Sequence, residues 1–430
     1  MIHLRDKNRM ENADKYHMLV ATIQGITDPI SGISTKLQSA LTKSLEDKAL
    51  SESEAFNLIE CPVQALPKLC AAASIVRDRG KGRTITFSPK VFIPLTRLCR
   101  DFCGYCTFRQ SPKEADRLYM TPDEILQVAK AGQDMGCTEA LFTLGERPEQ
   151  RYPEAKEWLA HKNFRTTVEY LRSASLLVLQ DTSLLPHGNP GTMSRREFQA
   201  LKDVNASMGI MLESVSQSLC LPGGAHELAP SKWPRVRMKS LELAGILRIP
   251  FTTGILIGIG ETREDRIESI LAIREIHRRY GHIQEVIIQN FRAKPDTPMG
   301  ARTDPDRDDI LWTVAAARLI LGPSTNIQVP PNLSALDYPI YLLAGINDWG
   351  GVSPVTIDYV NPEAPWPQLA ELNTNTRDLG FVLRPRLPVY PEYIVDNDEY
   401  LPEQLKSRIK AMATKDGYVK GGIENYVDIN

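Results

Sequence analysis

Three cysteines fall within eight residues, Cys99, Cys103 and Cys106 of the string LTRLCRDFCGYCTFRQ. A cubane iron-sulfur cluster takes four thiolates, so three from one tight loop leave one iron with an open coordination position. An open position on a metal is where chemistry happens, as catalytic zinc sites show beside closed structural ones. The competing readings are a zinc knuckle and a group of reduced thiols. Zinc requires a fourth Cys or His nearby, and the next candidates in sequence, Cys70, Cys137 and His161, form no second pair. The chain therefore reads as an enzyme carrying one 4Fe-4S cluster on these three residues.

The elements that must position this loop are set against an ordinary composition. The chain has 430 residues, a formal net charge of −2 and charges of both signs mixed along its length, which gives no electrostatic case for nucleic acid or an anionic membrane. Small molecules are the expected partners. MIHLRDKNRMENADKYH lacks the apolar core of a secretory signal, and no apolar run approaches the ~18 residues of a membrane span. The other four cysteines, Cys61, Cys70, Cys137 and Cys220, are scattered as buried thiols would be. A reducing, cytoplasmic setting is the expectation.

Residues 1–83 read as a separate N-terminal helical extension, with Ser51 and Glu54 in a capping-box pattern. From Thr84 the texture changes to β-rich runs alternating with helical patterns: Val91 to Pro94, Ala140 to Leu144, Leu184 to Pro186, Met208 to Leu212, Phe251 to Ile259 and Val286 to Phe291. Thr121-Pro122-Asp123-Glu124, and Thr262 before Glu264-Asp265, supply helix starts. The alternation predicts an α/β fold, a parallel sheet with crossover helices. Six units make a partial or full (β/α) barrel, the partial form being the expectation, spanning 84–325, with active groups at the carboxyl ends of the strands. Residues 326–430 break into proline-rich loops and a charged tail, a C-terminal cap.

The CxxxCxxC spacing with Tyr105 before the last cysteine resembles the signature of the radical S-adenosylmethionine (SAM) superfamily. The resemblance implies that the open iron chelates SAM and that an electron from the cluster yields a 5′-deoxyadenosyl radical. It also assigns SAM contacts. Gly145-Glu146 resembles the family's GGE motif at the SAM amine, with Leu144 in place of its first glycine. Glu213, ending the fourth strand in GIMLES, stands where relatives place a ribose ligand. Arg237 in RVRMKSLELAG aligns with an arginine that binds the SAM carboxylate, and a planar fork suits that role. Gly258 and Gly260 of GIGET match the adenine-side turn. Arg263 stands where GxGxxG would need its last glycine, so a dinucleotide site is unsupported.

CRDFCGYCTF, EALFTLGERPE, LLPHGNPGTM, RIPFTTGILIGIGETREDR, IIQNFRAKPDTPM and GINDWGGVSP together resemble the first-subunit family of the deazaflavin-forming FO synthases, over roughly residues 84–385. The resemblance implies a lyase. It would convert 5-amino-5-(4-hydroxybenzyl)-6-(D-ribitylimino)-5,6-dihydrouracil, supplied by the second FO synthase subunit, to 7,8-didemethyl-8-hydroxy-5-deazariboflavin (FO) with loss of ammonia. A reductant such as ferredoxin or flavodoxin is implied as electron source. Ring closure and ammonia loss move protons, for which His187 and Asp348 are candidates at the expected mouth; alternatively His187 braces the NPG turn and Asp348 holds the WGG loop. Asn189 and Asn347 are candidate substrate contacts. Three other readings stay open: the partner subunit's ring-joining step, another reaction of the biotin-synthase-like group, and an electron-transfer protein.

Overall fold

The computed structural model describes residue 14 and residues 16–427, so the first residues of the expected extension lie outside the described part. Helices begin where the sequence supplies caps. Ser51 with Glu54, Thr121 with Glu124 and Thr262 with Asp265 each form a reciprocal capping box, and Ser194 with Glu197 forms a fourth.

Among the described residues nine strands run between the helices: β1 (Thr84–Thr96), β2 (Glu139–Leu144), β3 (Leu185–Asn189), β4 (Ser207–Gly209), β5 (Phe251–Ile257), β6 (Ile283–Asn290), β7 (Ile327–Gln328), β8 (Asp348–Val352) and β9 (Val382–Pro385). Strands β1 to β8 are all parallel and follow one another round the ring, and β1 pairs with both β2 and β8. The barrel is therefore complete, not partial. The two barrel strands absent from the sequence reading are β7, two residues long, and β8, whose string DWGGV resembles a loop. β9 adds to β1 outside the ring, from Thr84↔Val382 to Phe87↔Pro385.

The expected boundaries shift for the same reason. The barrel runs past residue 325 to Val352, and the helical segment before it is not separate. Its helix Leu66–Lys81 buries one face in the same core as the strands. The fully buried Arg77 donates from Nη1 to the carbonyls of Leu342 (3.0 Å) and Ile346 (2.7 Å). Trp312 Nε1 donates to the Leu58 carbonyl at 3.0 Å. Among the described residues no single helix is long and apolar enough to cross a membrane.

After β9 the chain crosses the amino-terminal end of the barrel. Arg386 forks onto Asp348 (Nε–Oδ2 2.6 Å, Nη2–Oδ1 3.0 Å) and reaches Glu285 Oε1 at 3.0 Å. Tyr390 Oη donates to the same Glu285 oxygen at 2.9 Å. Ser207 Oγ and Gln284 Nε2 donate to the Pro388 carbonyl at 2.7 and 3.0 Å. These partners stand at the starts of β4, β6 and β8, so the base of the barrel is closed by the chain's own C-terminal segment.

Candidate active site at the barrel mouth

The cysteine loop leaves the carboxyl end of β1 and borders a cavity of about 390 Å³ that descends into the barrel. Cys99, Cys103, Cys106 and Tyr105 line it together with Gly145, Glu146, Glu213, Arg237, His187 and Asn189. All three loop cysteines are free thiols. Burial pushes Cys99 up to about 12 and raises Cys103 as well, so binding a metal is what would make them thiolates. No three described His, Cys, Asp or Glu side chains gather round a single ion-sized point. A cubane takes each thiolate on a different iron, and a soft three-sulfur set on one loop suits it.

Gly145 explains how β2 meets this loop. A Cβ there would overlap the Leu98 carbonyl and crowd Cys99 Cβ, so only glycine lets the strand end lie against the cysteine backbone. Its neighbour Glu146 donates its amide N–H to Cys99 Sγ at 3.1 Å, the kind of contact that tunes an iron-sulfur site. The Glu146 carboxylate is already engaged: Oε2 accepts from the Thr192 amide (3.0 Å) and Oε1 from the Thr192 hydroxyl (2.5 Å). A Cβ on Gly191 would overlap that carboxylate. Glu146 thus ties the loop after β3 to the cysteine loop, a link with no signal in the GGE resemblance.

On the opposite wall Glu213 has φ +67°, a left-handed conformation rare outside glycine. Its amide donates to Gly254 O (3.1 Å) and its carbonyl accepts from Leu256 N (3.0 Å). β5 therefore holds the strained residue in place, as at many functional sites. Its carboxylate pairs with Lys232. Arg237 lies beside it, 5 % exposed, spending three N–H donors on Ser231 O (2.8 Å), Met211 O (3.1 Å) and Ser231 Oγ (3.3 Å). Two guanidinium donors remain for a ligand. Ser231 in turn donates to the buried Asp101 of the cysteine loop. Asp101, Ser231 and Lys232 were not singled out from the sequence; the one hint is the acidic residue inside CRDFC.

Tyr105 reaches His226 (Oη–Nε2 3.1 Å), with the rings edge to face at 5.6 Å. Burial drives His226 down to about 2, helped by Lys232 and Arg237, so the imidazole is neutral and the Tyr105 hydroxyl has a partner. His187 and Asn189 do come together in the cavity, 3.0 Å apart. Both His187 nitrogens are engaged, Nδ1 with Ser207 Oγ at 2.7 Å, and burial lowers its pKa to about 4. The geometry is that of a brace.

Four expected site residues are not brought to the cavity. Gly258 (φ +93°) and Gly260 (φ +114°) form a turn closed on Glu261, which accepts from the amides of Gly258 (2.7 Å) and Ile259 (2.9 Å) and pairs with Arg266 at 2.8 Å. Asn347 and Asp348 stand at the amino end of β8, opposite the mouth. The Asn347 carboxamide accepts from Arg318 (2.9 Å) and Ile327 N (2.9 Å) and donates to Asn326 (2.8 Å). Asp348 is fully buried on Arg386 and accepts from Gly350 N at 2.5 Å. Both build the barrel base, because the motif containing them is itself a strand.

A closed parallel barrel with a three-cysteine loop at its carboxyl-terminal mouth defines the radical SAM class, and the sequence pattern of the Radical SAM superfamily matches residues 93–273. Solved structures agree on the fold: the FeFe-hydrogenase maturase HydG of Carboxydothermus hydrogenoformans has TM-score 0.68 at 19 % identity, covering 94 % of each chain. Methylornithine synthase (PylB) has TM-score 0.62 at 18 % identity, covering 80 % of this chain and 97 % of that one. By sequence the chain is 54 % identical over 310 residues to the 7,8-didemethyl-8-hydroxy-5-deazariboflavin synthase of Methanopyrus kandleri, 72 % of this chain and 92 % of that protein. It is 48 % identical over 399 residues to the FO synthase of Streptomyces coelicolor, 90 % of this chain and 46 % of that protein. The chain belongs to the FO synthase family of radical SAM enzymes, and it spans about half the length of the FO synthases it matches.

Proposed function

We propose that this chain performs the ring-closing half of deazaflavin formation: it converts 5-amino-5-(4-hydroxybenzyl)-6-(D-ribitylimino)-5,6-dihydrouracil to FO with loss of ammonia. The observation that carries the reading is the single cavity in which the cysteine loop, Glu213 and Arg237 meet. The name of the Methanopyrus kandleri relative and the strings CGYCTF and LPHGNPG support the choice of substrate. The ring-joining step falls in this reading to a separate second subunit, which supplies the adduct, and a small reductant such as ferredoxin or flavodoxin supplies the electron.

When bound, the cluster and SAM supply an adenosyl radical that abstracts hydrogen. The chain's own residues bind and enclose. Cys99, Cys103 and Cys106 would hold three irons. The two uncommitted Arg237 donors would take the SAM carboxylate, and the Glu213 carboxylate would face the ribose hydroxyls. Tyr105, kept neutral by burial, closes the rim beside them. The closed base of the barrel leaves bulk water no path from below, which protects a radical from quenching.

The test is anaerobic incubation of reconstituted protein with SAM, dithionite and the adduct, watching for FO fluorescence. FO is expected together with 5′-deoxyadenosine and ammonia. Release of 5′-deoxyadenosine without FO would sink the assignment while leaving the radical SAM class intact.

A further inference from the structure

Below the residues facing the cysteine loop, the cavity ends on a layer of charged and polar side chains: Lys90 on β1, His187 on β3, Thr252 on β5 and Glu285 on β6. Most of this layer is already committed. The Glu285 oxygens accept from Arg386, Tyr390 and Thr252, and both nitrogens of His187 are occupied.

Lys90 differs. It is 8 % exposed, and its Nζ lies 3.0 Å from Glu139 Oε1, an ion pair without hydrogen-bond geometry, with Glu139 behind it. An ammonium carries three N–H donors, and no described group accepts a hydrogen bond from this one. A buried polar donor left without a partner is costly, so free ammonium donors on the floor of a cavity are groups awaiting an acceptor.

The surroundings keep that space clear. A Cβ on Gly351 would overlap Lys90 Cε, which gives the second glycine of the DWGG string a purpose: β8 steps aside for the lysine stem. A Cβ on Gly209 would crowd the Asn189 carboxamide in the same way. Directly above Lys90 on the same strand, Phe92 stacks on Trp366 with ring centroids 5.2 Å apart and planes 14° apart, and Leu141 and Ile287 line the adjoining wall. The cavity is thus apolar and aromatic at mid-height and polar at its foot, where the Lys90 ammonium stands.

We propose that Lys90 anchors the substrate, its free N–H donors taking a carbonyl oxygen of a cyclic imide, the pyrimidinedione ring. This deepens the functional reading above and rests on it for the identity of the ligand. Glu139 and Gly351 act as positioning residues, one holding the ammonium from behind and the other leaving room for its stem.

The test is calorimetric binding of the adduct to SAM-loaded, unreduced holoenzyme, where no turnover occurs, followed by KM and kcat under reduction. The double substitution Lys90→Met/Glu139→Gln removes both charges together, so no buried ion is stranded. It is expected to keep the cluster's EPR signal and the SAM affinity, and to weaken adduct binding about tenfold to a hundredfold, the range for a lost charged hydrogen bond, with KM rising more than kcat falls. If the double variant loses the cluster, Gly351→Ala, which keeps both charges and displaces only the lysine stem, is expected to give the same loss. Adduct affinity within twofold of the unsubstituted protein, in whichever variant holds its cluster, overturns the anchor. Unsubstituted protein that binds adduct but makes no FO overturns the reaction and not the anchor; unsubstituted protein that fails to bind it overturns both.

Discussion

Arg237 has five N–H donors, and the three it spends on Ser231 and Met211 fix the direction of the two it keeps. Arg237→Ala is therefore expected to lower SAM affinity about tenfold to a hundredfold, a lost charged hydrogen bond being worth roughly 1.5–3 kcal/mol, with the cluster retained. Titration of reconstituted protein checks it, and unchanged affinity removes Arg237 from the site. Glu146 is a different case, since both its oxygens already accept from Thr192. Gly145→Ala should act on metal content, because a Cβ there would push the cysteine loop off β2; iron and sulfide analysis is expected to show a sharp loss, as for alanine at Cys99, Cys103 and Cys106 together. At this scale the cysteines, Gly145 and Arg237 were readable because a spacing or a known motif announces them. Lys90, Asp101 and Lys232 were not, since a lone charge in a strand or loop looks the same whether it faces a cavity or solvent.

Strands and loops raise a different question, which end of an element a motif occupies. Asn347 and Asp348 were expected at the mouth because Asn-Asp and Gly-Gly pairs look like loop. In the fold Gly350 adopts φ +74° within β8 itself, and the pair before it is the start of that strand. β7 is too short for any periodicity to register. The partner that makes sense of Asp348 is Arg386, 38 residues further on, and no local pattern links them. The ion cluster yields a prediction: Arg386→Met strands Asp348 and Glu285 without their cation, at a cost of about 3–5 kcal/mol. Replacing both partners, Arg386→Met with Asp348→Asn, should recover part of it. Urea unfolding of the cluster-free protein measures both, and equal stability of Arg386→Met and the unsubstituted chain would show that the barrel base does not depend on this contact.

The molecule as a whole buries several neutral histidines, and burial sets the sign of its response to acid. His187 falls to about 4, His282 to about 3 and His226 to about 2, each below the ordinary value near 6.5. Below pH ~6.5 the unfolded chain binds more protons than the folded one, so this stability is complete above that pH and lost as the pH falls through the window down to each folded value. Each histidine then costs about 1.4 kcal/mol per pH unit. Thermal melts of cluster-free protein should show a lower Tm at pH 5.5 than at pH 7; a flat profile would mean that the imidazoles reach water.

β1 finds its neighbours at Glu139, Asp348 and Val382, so the first strand of the ring pairs in part with stretches of chain made long after it. Synthesis adds about 5–20 residues per second, and some 280 residues separate Cys106 from Arg386. The three thiols are therefore outside the ribosome for on the order of tens of seconds before the barrel whose mouth they border can close at its base. During that interval they are as open to oxygen and stray metal as any unfolded cysteine. Iron and sulfide supplied after that interval would meet three thiols on a loop already set against Gly145 and Glu146 at the mouth.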